Sequence, residues 1–193
     1  DAEVSSDGVT ATEWPIVQLG DVAELCLGKM LDAAKNKGEP HFYLRNPNVR
    51  WFDFDLSDLR QMPFEERELV RFGLLPGDVV VCEGGEAGRA AIWDGRAQNV
   101  KFQKAIHRVR PLSTMDDPRF FRYFMRAAAQ SGLFSLATAS TIQHLPAEKL
   151  RLVRYPSPPP NVQKAIADYL DRETDRIHAL LIAKQRLLHL IAE

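Results

Sequence analysis

The sequence predicts an α+β fold: a twisted mixed β-sheet head with few helices, followed by one long coiled-coil-like helix. Three observations carry this expectation. Val162 to Ala192 contains neither Gly nor Pro and follows Ser157-Pro158-Pro159-Pro160, so it reads as one helix about 30 residues long, or roughly 45 Å, with Asn161 as its N-cap. Val79-Val80-Val81-Cys82 is an apolar run bounded by turn residues on both sides, the pattern of a buried strand. Pro118 to Gln130 carries Phe120, Phe121, Phe124 and Met125 at helical spacing, the mark of an amphipathic helix lying on a core.

The head takes its elements in order. Residues 1–13 are polar and are expected to be flexible. The fold is expected to span 14–156, with a Pro-rich linker and the long helix in 157–193. Ile16, Leu19 and Val22 are expected in the core. Glu24 to Leu27 and His41 to Arg45 read as strands, separated by a polar loop with Lys29, Lys35 and Lys37. Val49 to Phe54 is aromatic-rich and strand-like, and Phe64 to Phe72 is a short helical candidate. Asp94-Gly95 predicts a hairpin turn between Arg89–Trp93 and an alternating strand, Val100 to Val109. Pro146-Ala147-Glu148 starts a turn of helix, and Leu150 to Tyr155 reads as a last strand.

The long helix has a seam. Leu170, Thr174, Ile177, Leu181, Lys184, Leu188 and Ile191 fall in one heptad frame, and most of them are apolar. Acidic residues concentrate in its first half (Asp168, Asp171, Glu173, Asp175), while the second half carries Lys184 and Arg186. An antiparallel partner of similar sequence would set one half against the other. Leu170, Ile177, Leu181, Leu188 and Ile191 are therefore the candidate helix-pairing residues. The competing reading, a long core helix on its own domain, fits less well because the stripe runs almost to the last residue.

Bulk properties exclude several classes. Net charge is −1, and no run of roughly 20 apolar residues offers a membrane span. A signal peptide is not expected, and Cys26 and Cys82 sit in apolar segments without ligand spacing, so buried thiols in a cytoplasmic protein are expected. Charge is distributed unevenly: Arg89 to Arg110 holds six basic residues against Asp94 alone, a local positive field. Glu83-Gly84-Gly85-Glu86-Ala87-Gly88 lacks a GKS or GKT ending and leads into a strand, so it does not offer a helix N-terminus to a phosphate. His41, His107, His144, His178 and His189 are scattered, the serines lack an elbow setting, and no carboxylate–lysine set has nuclease spacing. The chain is expected not to be an enzyme and to bind no metal or cofactor itself.

These pieces resemble a known family. Trp14-Pro15-x-Val17-x-Leu19-Gly20-Asp21-Val22 is similar to the opening of the specificity (S) subunit of Type I restriction-modification enzymes, as is Tyr43-Leu44-Arg45-x-x-x-Val49. Gly77 to Cys82 with Glu83-Gly84-Gly85-x-x-Gly88-Arg89-Ala90-Ala91 looks like the central strand signature of its target recognition domain, and Phe102 to Pro111 continues it. Thr141-Ile142-x-His144-Leu145, Pro156-x-Pro158-Pro159, and Gln163 with Ala165-Ile166-Ala167-x-x-Leu170-Asp171 complete the likeness. The resemblance implies a target recognition domain plus one spacer helix: a fragment, a half-subunit that dimerises, or a single-domain variant. It implies double-stranded DNA as ligand and methyltransferase (M) and restriction (R) subunits as partners, with S-adenosylmethionine and ATP/Mg held by those partners. It also implies pairing of the C-terminal helix with a copy of itself or with a second specificity half.

On that reading Arg45, Asn46, Asn48, Gln103, Lys104 and Gln143 are candidates for bases, since Arg and Lys suit guanine and Asn and Gln suit adenine. Lys29, Lys35, Lys37, Arg89, Lys101, Arg108 and Thr141 are candidates for phosphates, and Gly84, Gly85 and Gly88 would allow close backbone approach. The alternative from a different class is a scaffold domain that dimerises through its helix and does not bind DNA.

Overall fold

Val79-Val80-Val81-Cys82 has no polar side chain on either face, so a strand made from it must be covered on both sides. The computed structural model of the chain, which describes residues 14–32, 34–114, 116–136 and 144–192, does this with two cores. The elements run β1 (Ile16–Gln18), α1 (Leu19–Val22), β2 (Ala23–Leu27), β3 (Glu39–Leu44), a 3-10 turn (Asn46–Asn48), β4 (Arg60–Phe64), α2 (Glu66–Leu69) and β5 (Val79–Cys82). They continue through β6 (Ala90–Ile92), β7 (Lys101–Phe102), β8 (Ile106–Pro111), α3 (Pro118–Gln130), α4 (Leu133–Leu136), α5 (Ala147–Arg151), β9 (Arg154–Pro156) and α6 (Pro160–Ala192).

A four-stranded antiparallel sheet in the order β2-β8-β5-β6 forms the middle layer. Val79 and Val81 of β5 point to one side, where Phe120, Phe121 and Met125 of α3 and Leu150 of α5 cover them. Val80 and Cys82 point to the other, onto Tyr43, Leu44, Met62, Phe64 and Phe102 of a second sheet, β4-β3-β7. In that sheet β3 pairs antiparallel with β4 and parallel with β7. β1 and β9 close a two-stranded ribbon beside the helical layer.

The fold class is the one the sequence predicts, with local corrections. Val100–Val109 is not one strand: Ala105 takes φ 91°, and this reversal sends β7 and β8 to different sheets. Asp94-Gly95 therefore does not close a hairpin. Val49–Phe54 folds back on itself through Phe52 at φ 68° and closes a Val49–Phe54 bridge instead of running as a strand. The partners of β3 are β4, which contains Pro63, and β7. Leu150 and Arg151 belong to α5, and the strand starts at Arg154. Ile16 is exposed, while Leu19 is buried.

The long helix begins at Pro160, one residue before the expected cap. A first-turn proline suits this place, since its missing N–H would be unpaired there anyway. The Val162 and Gln163 amides reach the Pro159 carbonyl at 2.9 and 3.0 Å. The first turns of α6 pack on the head through Gln163, Ile166 and Ala167. From Thr174 to Leu190 every side chain is exposed, so about 25 Å of helix stands free of the head.

Candidate nucleic-acid interface

Four connections that are distant in sequence meet at one edge of the head. The turn Asn46–Asn48 follows β3, residues 83–89 join β5 to β6, residues 103–105 join β7 to β8, and His144 precedes α5. Backbone bonds tie them: the Gln103 amide donates to the Leu44 carbonyl (3.1 Å), Glu83 to Ala105 (2.9 Å), and Leu145 to Glu83 (2.6 Å). Gly84 forms a bridge with His144.

Side chains complete the edge. Asn46 donates from Nδ2 to the Gly84 carbonyl (2.7 Å), and its Oδ1 accepts from Nη2 of Arg89 (2.7 Å). The same Arg89 nitrogen reaches the Asn46 carbonyl at 3.1 Å. This fixes the Asn46 amide while leaving it a second N–H and a second lone pair to present. Gln103 is half-buried, and its Oε1 is itself buried without a hydrogen-bond partner among the described residues. Lys104 is exposed, and its backbone N–H holds the Lys29 carbonyl at 2.7 Å; Lys35 and Lys37, also exposed, lie further along that loop, toward the Glu39 end of β3. Gly85, at φ 74°, is exposed and offers backbone without a side chain.

Gly88 has a different use. A Cβ there would collide with the Phe134 ring, and its φ is 86°, so this glycine serves core packing and not ligand approach.

Several expected contact residues lie in the interior instead. Lys29 is 7 % exposed and bonds Glu68 and the Pro63 carbonyl (2.8 Å). Burial works against the Glu68 carboxylate, but the hydrogen bond from Lys29 and the Glu65 amide together hold its pKa below the usual range. Lys101 donates to the Leu69 carbonyl, and burial lowers its pKa. Arg108 serves the Arg71 and Gly73 carbonyls (2.9 and 2.8 Å) and Glu24. These three cations are internal staples and cannot reach a phosphate from where they stand. Asn48, also buried, caps its own turn: it accepts from the Arg45 amide and donates to the Asp55 carbonyl. Arg45 turns away to Asp58. Thr141 and Gln143 lie outside the described residues, next to His144.

Two groups at this edge carry no strong sequence signal. His144 is half-exposed, with Nε2 3.6 Å from Glu83. Arg126 of α3 stacks on Trp51, 4.6 Å from the ring centre, and reaches Glu86 at 3.7 Å. Glu86 also accepts from the Trp51 indole and lies 3.4 Å from Arg89, so this surface carboxylate is flanked by two guanidinium groups. His107 is fully buried: Nε2 sits 2.9 Å from the Leu145 carbonyl, and burial lowers its pKa. The Cys82 thiol is pushed up to about 11 by burial, so it is no nucleophile.

The candidate helix-pairing residues divide along α6. Ile177, Leu181 and Leu188 are exposed, joined by Leu180 and Leu187, whereas Leu170 is half-covered by the head. The Ile191 side chain lies outside the described residues.

A small α+β head with a polar loop edge, carried on a helical arm, is the class that fold and geometry define. Residues 11–185 match the family described as the Type I restriction modification DNA specificity domain, and the chain belongs to that family. Solved structures share the fold. An HsdS subunit from Thermoanaerobacter tengcongensis aligns with TM-score 0.63 at 18% identity, and a Type-I restriction-modification system S subunit from M. genitalium with TM-score 0.57 at 18% identity. A third, described as showing complex assembly and conformational transition of the type I R-M system, aligns with TM-score 0.59 at 16% identity. The alignments cover 91% to 93% of this chain but 42% of each of the others, so the chain spans about two fifths of the solved chains it matches. No curated protein matches the sequence.

Proposed function

We propose that this chain is the DNA-reading specificity subunit, or one half of such a subunit, of a Type I restriction-modification system. The observation that carries the reading is the edge where Asn46, Gly84-Gly85, Gln103-Lys104 and His144 converge. A fixed amide, the half-buried Gln103 side chain beside it, an exposed ammonium and bare glycine backbone together supply donors and acceptors of the kind that base edges in a major groove demand. Lys35 and Lys37, exposed on the loop that leads into β3, supply phosphate contacts away from this edge. The chain itself does no chemistry and holds no cofactor. Methyl transfer from S-adenosylmethionine and ATP-driven cleavage belong to methyltransferase and restriction subunits that it recruits in the cytoplasm.

A free apolar arm fits a pairing through antiparallel α6-type helices, with a copy of itself or with a second specificity half, each head reading one half of a bipartite duplex. Ile177, Leu181 and Leu188 would be buried in that seam. Enrichment of a random duplex library by the chain together with its methyltransferase subunit tests the reading. A bipartite consensus is expected, with affinity falling steeply with salt as phosphates are neutralised. A scaffold domain would pair through the arm and enrich no sequence.

A further inference from the structure

One carboxylate of α6 gathers three donors from α3. Asp171 accepts from Nη1 of Arg119 (2.9 Å) at one oxygen, and from Nη2 of Arg122 (2.9 Å) and the Tyr123 hydroxyl (2.6 Å) at the other. Arg119 also binds Asp168 at 2.8 Å and Asp117, the cap of α3, at 2.6 Å. Two turns earlier in α6, Gln163 is 1 % exposed and crosses the same junction. Its Oε1 accepts from the Asp117 amide (3.1 Å), and its Nε2 donates to Asp116 and to the Pro158 carbonyl, both at 3.0 Å.

The donors are themselves braced. Phe52 holds a left-handed φ of 68°, a costly backbone state for a bulky residue. Its amide donates to the Ala90 carbonyl at 3.1 Å, which anchors it on the central sheet. The Arg122 guanidinium lies 4.5 Å from the Phe52 ring centre, and the Tyr123 ring 5.3 Å. The sheet therefore supports Phe52, Phe52 supports Arg122 and Tyr123, and these hold Asp171. Beyond it the arm runs free.

Geometry gives this junction leverage. A 10° tilt at the base of a free lever about 25 Å long moves its end by about 4 Å, more than the ~3.4 Å rise of one base pair. We propose that the Asp171 clamp, braced by Phe52, sets the angle between head and arm and thereby the spacing at which two half-sites are read. Asp171 is a positioning residue on this view, and Arg119, Arg122 and Tyr123 fix it. The spacing role rests on the proposed reading of a bipartite duplex; the angular role does not.

The test uses Asp171→Asn and Tyr123→Phe, both conservative and both at half-exposed positions. Spin labels at Lys37→Cys and Arg186→Cys report the head–arm distance, since Cys26 and Cys82 are buried. The unsubstituted clamp is expected to give one narrow distance distribution, and both variants a broadened or displaced one. Library enrichment with the methyltransferase subunit is expected to yield one spacing for the parent chain. For the variants it should yield a spacing shifted or spread by at least one base pair, with the half-site bases unchanged. Narrow, coincident distances in all three proteins would overturn the proposal. So would broadened distances with an unaltered spacing. If the parent chain enriches no sequence, the DNA reading fails, and the distance distributions still decide the clamp.

Discussion

Tyr123 and Asp171 meet across 2.6 Å, helix α3 to helix α6, and this hydrogen bond is the short core of the joint between head and arm. Burial works against the Asp171 carboxylate, yet the bonds from Tyr123 and Arg119 and the charge of Arg122 hold its pKa below the usual carboxylate range.

The joint should therefore open in acid. A carboxylate with a depressed folded pKa contributes stability above its unfolded pKa, about 3.9, and loses it as pH falls through the folded value. Head–arm distances should be constant from neutral pH to about 5 and should spread below about 4. Asp171→Asn should show the spread distribution throughout. A parent distribution that stays narrow in acid would exclude the ionic joint.

Lys29 and Lys104 should separate stability from binding, although they sit side by side. Lys29→Met removes a buried partner of Glu68 and the Pro63 carbonyl and is expected to cost about 1–3 kcal/mol in denaturant unfolding. Lys104→Ala changes an exposed side chain, so stability should move by less than about 0.5 kcal/mol. DNA affinity should fall instead, with the preference relaxed at the base that Lys104 reads.

His107 gives a second pH dependence of known sign. Its folded pKa is lowered by burial, so between the folded value and about 6.5 the unfolded chain binds the extra proton and acid favours unfolding. Thermal midpoints should fall as pH drops below about 6.5. His107→Gln, which can still donate to the Leu145 carbonyl, should flatten that decline. An equally steep profile in the variant would assign the effect elsewhere.

Leu181 is 53% exposed on the free arm, so Leu181→Lys should leave head stability nearly unchanged. Self-association by light scattering should weaken at least about tenfold, since a lysine would enter the seam. Parent and variant masses that agree at every concentration would remove α6 from pairing.

Sequence alone made the amphipathic helix at 118–130, the buried strand at 79–82 and the arm legible, because the two helices show periodicity over enough residues and the strand is an unbroken apolar run between turns. It did not reveal Ala105 at positive φ, which splits one alternating run into two strands of different sheets. Nor could it assign Lys29, Lys101 and Arg108. What buries them is a set of carbonyls 32 to 37 residues away, at Pro63, Leu69, Arg71 and Gly73, and no local pattern encodes such a match. Asn46 and Asn48 look alike in the sequence. The fold turns one toward Gly84 at the loop edge and the other inward as a cap.

The loop edge faces its most direct test in the half-site that it selects. Random-duplex enrichment should be run in parallel for the parent chain, Asn46→Ala and Gln103→Ala, each with the methyltransferase subunit. The parent should yield a defined half-site, and each variant should relax one or two of its bases, by about 1–3 kcal/mol per lost bidentate contact, with the spacing retained. An identical consensus from all three proteins would contradict base reading by this edge.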